Sequence, residues 1–79
     1  MVSVAFPKLY IKLGNNIREA RLALKMTQGE LAEVMGASRE AVKNVENGYN
    51  LVSLERLFRF ARALNVSAEF LIKGIGDDD

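Results

Sequence analysis

Residues 27–48 read TQGELAEVMGASREAVKNVENG. Thr27 followed three residues later by Glu30 is a capping box: the Thr27 hydroxyl accepts from the Glu30 N–H, and the Glu30 carboxylate reaches back to the Thr27 N–H. A helix is therefore expected to start here, with Leu31, Ala32, Val34 and Met35 as its apolar side. Gly36 is expected to stop it in a left-handed conformation. Ser38 is an N-cap for a second short helix, in which Ala41, Val42 and Val45 face inward. Arg39, Glu40, Lys43 and Asn44 face outward, and Gly48 ends the helix. Two helices joined by a three- or four-residue turn containing glycine make a helix-turn-helix. The arrangement needs a small residue where the helices cross, which Ala32 supplies.

Outward from this motif the chain reads as helical. Before it, Leu9, Leu13, Ile17, Ala20 and Leu24 recur at spacings of three and four, one apolar helical stripe. Gly14 and Asn15-Asn16 weaken that stripe locally, so it fits one helix over residues 8–25 or a helix that begins after Gly14. Val2, Val4 and Phe6 lie on one side of an extended segment that Pro7 closes. After the motif, Tyr49 to Val52 is a loop. Ser53 caps a helix whose stripe is Leu54, Leu57, Phe58, Ala61 and Leu64, and Asn65 suits its C-terminal end. Ser67 caps a last short helix carrying Phe70, Leu71 and Ile72. The expectation is an all-α, five-helix domain over residues 8–73, with its motif at 28–47. An apolar N-terminal arm over 1–7 and an acidic, frayed tail over 74–79 flank it.

The composition narrows the chemistry. The 79 residues suit one domain. There is no cysteine, hence no disulfide or thiolate metal site, and no histidine, hence no imidazole acid–base catalysis or His-ligated zinc. No nucleophile–base pair, metal cluster or phosphate-binding loop is evident, so no catalytic residue, metal site or cofactor is assigned and an enzyme is not expected. The formal charge of +1 hides an uneven distribution. Residues 1–76 hold 11 basic and 7 acidic side chains, a net of +4, and the remaining three acids are Asp77, Asp78 and Asp79. A net of +4 is ordinary for a soluble domain, and it equally fits a basic face for a polyanion. No apolar run approaches the roughly 20 residues of a membrane span, and the N-terminus has no secretory pattern, so a cytoplasmic location is expected. The polar side of the second motif helix, set against a buried one, is the arrangement that enters a DNA major groove.

From about Leu13 to Leu71 the chain resembles the Cro/repressor (Xre-like) helix-turn-helix family of phage and bacterial transcription regulators. The matching phrases are Ile17-Arg18-Glu19-Ala20-Arg21, Thr27-Gln28-Gly29-Glu30-Leu31-Ala32, Gly36-Ala37-Ser38-Arg39, Val45-Glu46-Asn47-Gly48, Leu54-Glu55-Arg56-Leu57 and Ala63-Leu64-Asn65-Val66. The resemblance implies a lambda-repressor-like fold and a sequence-specific regulator, a repressor, that binds double-stranded DNA at a palindromic operator as a homodimer. It implies that Arg39, Glu40 and Asn44 read bases, with Lys43 on the same face. It implies that Gln28 touches phosphate and buttresses the reading helix, and that Asn47 and the loop through Asn50 contact the DNA backbone, with Arg56 close to that loop. It also implies a partly buried ion pair between Arg21 and Glu46. Glu40 departs from the more usual Gln, Ser or Thr; a carboxylate accepts from cytosine N4 but repels phosphate.

Plainer readings stand beside these. Arg39–Lys43 and Glu40–Asn44 are four apart, as on any solvated helix face. Arg59 and Arg62 read as solvated. The apolar arm with Tyr10 at one end, and Phe70, Ile72 and Ile75 at the other, fit burial in the core or a second subunit. They also fit a different function, a protein-binding module such as an antitoxin or regulatory adaptor.

Overall fold

Local capping chemistry sets the helix boundaries. The computed structural model describes residues 7–75. It holds α1 (Pro7–Ala23), α2 (Gln28–Met35), α3 (Arg39–Glu46), α4 (Leu54–Leu64) and α5 (Ala68–Leu71), with no strand among the described residues. Residues 1–6, with most of the expected arm, and 76–79, with the three aspartates, lie outside the described residues.

The capping box is formed: Glu30 N donates to Thr27 Oγ1 at 3.0 Å, and Thr27 N to Glu30 Oε1 at 2.8 Å. Ser38, Ser53 and Ser67 cap α3, α4 and α5 by accepting from the N–H three residues on. The first four helices end alike. A left-handed residue donates back three positions, and its successor donates back five, closing the last carbonyls. The left-handed residues are Lys25 (φ 59°), Gly36 (67°), Gly48 (76°) and Asn65 (57°). Three of these are glycine or asparagine, as the conformation favours; Lys25 adopts it at a steric cost.

The question left open by Gly14 is answered by one continuous helix, α1. The core comprises Leu13, Ile17 and Ala20 of α1, Leu31, Ala32 and Met35 of α2, Val42 and Val45 of α3, Phe60, Ala61 and Leu64 of α4, and Leu71 of α5. Four expected core positions are exposed instead. Leu24 lies past the end of α1, and Val34 is 62% exposed on the outer side of α2. In α4 the expected stripe is rotated: Phe60 is fully buried, while Leu54 is 70% and Phe58 56% exposed. Phe58 and Phe60 lie about 100° and 60° to either side of Leu57 on a helix of 3.6 residues per turn, and the layer under α4 takes the nearer one. The C-terminal turn is tied to α1. Asn16 Nδ2 donates to the carbonyls of Leu71 (2.8 Å) and Lys73 (3.0 Å), and Lys12 Nζ to that of Gly74 (3.1 Å). Gly74 and Ile75, expected in the frayed tail, are thus held on the domain, with Ile75 packed against the core.

Candidate nucleic-acid interface

α2 and α3 are in direct contact, and Leu31 and Ala32 of the first and Val42 and Val45 of the second are buried in the shared core, nearly inaccessible to solvent. That contact fixes which side of α3 is free. Arg39, Glu40 and Lys43 are exposed, and Asn44, at the edge of the same side, is half-buried. Arg39 follows the Ser38 cap directly, and its Cδ lies 4.0 Å from where a Cβ on Gly29 would stand. The N-terminal ends of α2 and α3 therefore meet at one surface.

The C-terminal end of α3 is held by a buried polar cluster. Arg21 donates from Nε to Glu46 Oε2 at 2.6 Å and from Nη2 to Oε1 at 3.0 Å. Its Nη1 donates to the Met26 carbonyl at 2.7 Å. Gln28 Nε2 adds a third donor to the carboxylate, 3.1 Å from Oε1. The two charged side chains are 9% and 2% exposed. A guanidinium forked onto a carboxylate satisfies two geometries at once, so α1, the α1–α2 turn, the first turn of α2 and the last turn of α3 are locked together. No buried side-chain N or O atom among the described residues lacks a partner.

The remaining expected contact residues surround this face. Asn47 caps α3, and Asn50 lies in the loop beyond; both are exposed. Arg56, in the first turn of α4, is half-buried. Sequence reading did not identify Asn16, whose signal is absent locally because its partners lie 55 and 57 residues away. No group of three or more acidic residues among the described residues is placed to hold a metal ion. No helix there is long and apolar enough to cross a membrane.

Two short helices crossing at a glycine turn, with the second exposing one polar side beside the N-terminus of the first, define a helix-turn-helix domain. The family model described as Helix-turn-helix matches residues 17–71, and the chain belongs to that family, in its Cro/repressor (Xre-like) branch of transcriptional regulators. It is 40% identical over 63 residues to an uncharacterized HTH-type transcriptional regulator of Archaeoglobus fulgidus, covering 80% of this chain and 87% of that protein. It is 31% identical over 67 residues to an uncharacterized transcriptional regulator in the ATPase CF(0) region of Rhodospirillum rubrum, covering 85% of this chain and 62% of that one. The chain thus spans under two thirds of that second relative. Among solved structures, the restriction-modification controller protein C.AhdI from Aeromonas hydrophila superposes with a TM-score of 0.76 at 35% identity, covering 78% of this chain and 94% of that one.

Proposed function

We propose that this domain is a sequence-specific, double-stranded DNA-binding transcriptional repressor that places α3 in the major groove as one half of a homodimer. The observation that carries the reading is the division of α3: Val42 and Val45 are buried in the core, while Arg39, Glu40, Lys43 and Asn44 share the free side. Arg39 suits the O6 and N7 of guanine, Asn44 the N6 and N7 of adenine, and Glu40 the N4 of cytosine. Lys43 serves a base or a phosphate. Gln28, Asn47, Asn50 and Arg56 would contact the DNA backbone, setting register rather than sequence. Gln28 has a second task, since its amide also braces Glu46.

Dimerisation would present two copies of α3 to half-sites about 34 Å apart, one turn of B-DNA. The exposed Leu54, Phe58, Phe70 and Ile72 supply apolar surface for a second subunit. The same surface supports a second reading, a protein-binding module such as an antitoxin or adaptor. The two are separated by selecting bound sequences from a random duplex pool at two salt concentrations. A palindromic motif whose enrichment collapses in Arg39→Ala and Asn44→Ala supports the regulator. Weak, salt-sensitive binding without a motif refutes sequence reading and leaves the protein-binding module.

A further inference from the structure

Gly14 stands in the interior of α1, where glycine is disfavoured, and it is buried. A Cβ on it would overlap the Val45 carbonyl oxygen, and would lie 2.5 Å from the Glu46 oxygen and 2.8 Å from the Glu46 carbonyl carbon. These are backbone atoms of the last turn of α3, so no side chain can swing aside to make room. One turn earlier on the same side of α1, Ile11 meets Gly48, two residues past the end of α3. A Cβ on Gly48 would lie 2.9 Å from Ile11 Cα. Two turns later, Arg21 grips Glu46. Positions 11, 14 and 21 of α1 thus seat residues 45, 46 and 48 from one face.

We infer that Gly14 is a positioning residue for the reading side of α3: the missing Cβ sets how closely, and at what tilt, the C-terminal half of α3 lies on α1. The inference rests on the DNA reading proposed above. Carbon–oxygen contacts stand at about 3.3 Å or more, so alanine at 14 drives the Glu46 oxygen back by about 0.8 Å. α3 has eight residues, about 12 Å at 1.5 Å per residue, so a shift taken up at one end is a tilt of about 4°. Recognition side chains must be held within about 0.5 Å. The displacement is greatest at the C-terminal end: Asn44, about 7.5 Å along the helix from Arg39, moves by about 0.5 Å and reaches that limit, while Arg39, at the pivot, keeps its register.

The test compares wild type with Gly14→Ala, Gly48→Ala and Ile11→Ala, the last of which trims a side chain without inserting an atom between α1 and α3. Backbone N–H residual dipolar couplings report the orientation of α3 against α1 and α4. Fluorescence polarisation gives affinities for the duplex selected by wild type and for a scrambled duplex of the same length, at one salt concentration. In Gly14→Ala, α3 turns by about 4°, affinity for the selected duplex falls about tenfold or more, and affinity for the scrambled duplex stays within about twofold. Reselection relaxes the base pairs that Asn44→Ala relaxes and retains those that Arg39→Ala relaxes. Ile11→Ala melts at a lower temperature with an unchanged ratio of affinities. If Gly14→Ala does not fold, Gly48→Ala presses on Ile11 from the other side of the contact; alanine at φ 76° also strains the turn, so this variant is judged by the couplings and the ratio of affinities and not by its melting temperature. Unchanged couplings with an unchanged ratio in a folded variant overturn the inference, as does an equal fall in both affinities. A wild type without sequence preference refutes the DNA reading instead, and the couplings alone then decide whether Gly14 sets the seat of α3.

Discussion

Arg21→Met leaves the Glu46 carboxylate, 2% exposed, with Gln28 as its one remaining side-chain donor. Removing one partner of a buried pair costs about 3–5 kcal/mol. At about 0.05–0.15 kcal/mol per residue, a domain of this length has about 4–12 kcal/mol in total, so the single change removes a large share of it. Each 1 kcal/mol lowers the melting temperature by about 4–8 °C in a domain of this size, which makes the expected drop about 12 °C at the least. Glu46→Leu strands the guanidinium and costs a similar amount. The double variant carries neither charge. Its remaining penalty is the Met26 carbonyl that Arg21 Nη1 had satisfied, about 1–3 kcal/mol, because the half-buried Gln28 can turn to water. The two single costs sum to about 6–10 kcal/mol, whereas the double should cost no more than about 3, a coupling of at least about 3 kcal/mol. Urea denaturation followed by circular dichroism measures all four corners of this cycle. Single costs that add to within about 0.5 kcal/mol would show that the pair behaves as if solvent-exposed, and the reasoning would fail.

Lys25→Gly should stabilise the domain. A non-glycine residue at φ 59° costs about 1–2 kcal/mol, and the extra freedom of glycine in the unfolded chain returns about 0.4–1 of that; a melting temperature that fails to rise contradicts the strain assigned to Lys25. Phe60→Ala should cost about 3–5 kcal/mol and Phe58→Ala under about 0.5, and the reverse order in a melting experiment would refute the rotation of α4. Arg39→Ala should lose about 1–3 kcal/mol of binding, confined to one base position; an equal loss on every duplex would rule out base reading. Arg56→Ala should lower the log–log salt slope by about 0.9 per subunit if Arg56 neutralises a phosphate, and an unchanged slope would remove it from the backbone contacts.

The helix boundaries were legible because their determinants act within a few residues. Thr27 and Glu30 complete each other across three positions. Ser38, Ser53 and Ser67 each need only the N–H three residues on. Gly36, Gly48 and Asn65 mark chain reversals that their own backbone freedom permits. Lys25 gives no such signal, since its left-handed conformation is imposed by the closing bonds around it. The Arg21–Glu46 pair was legible in another way: 25 residues separate the partners, and only the family resemblance connected them. The exposed side of α3 followed from the burial of Val42 and Val45, because an eight-residue helix that hides two such positions has one polar side left.

The sequence alone thus determined that there are five helices, the N-caps of α2 to α5, the turn between α2 and α3, and the residues offered on the free side of α3, all consequences of short-range hydrogen bonding and helical periodicity. The tertiary structure decided what depends on a partner from elsewhere in the chain. It chose Phe60 over Phe58, because both flank the Leu57 line and only the layer beneath could discriminate. It placed Asn16 under the carbonyls of Leu71 and Lys73. It also gave Gly14 its purpose. Within α1 that glycine is only an unfavourable residue, and its reason is the carbonyl edge of α3, which reaches it only once the two helices are packed.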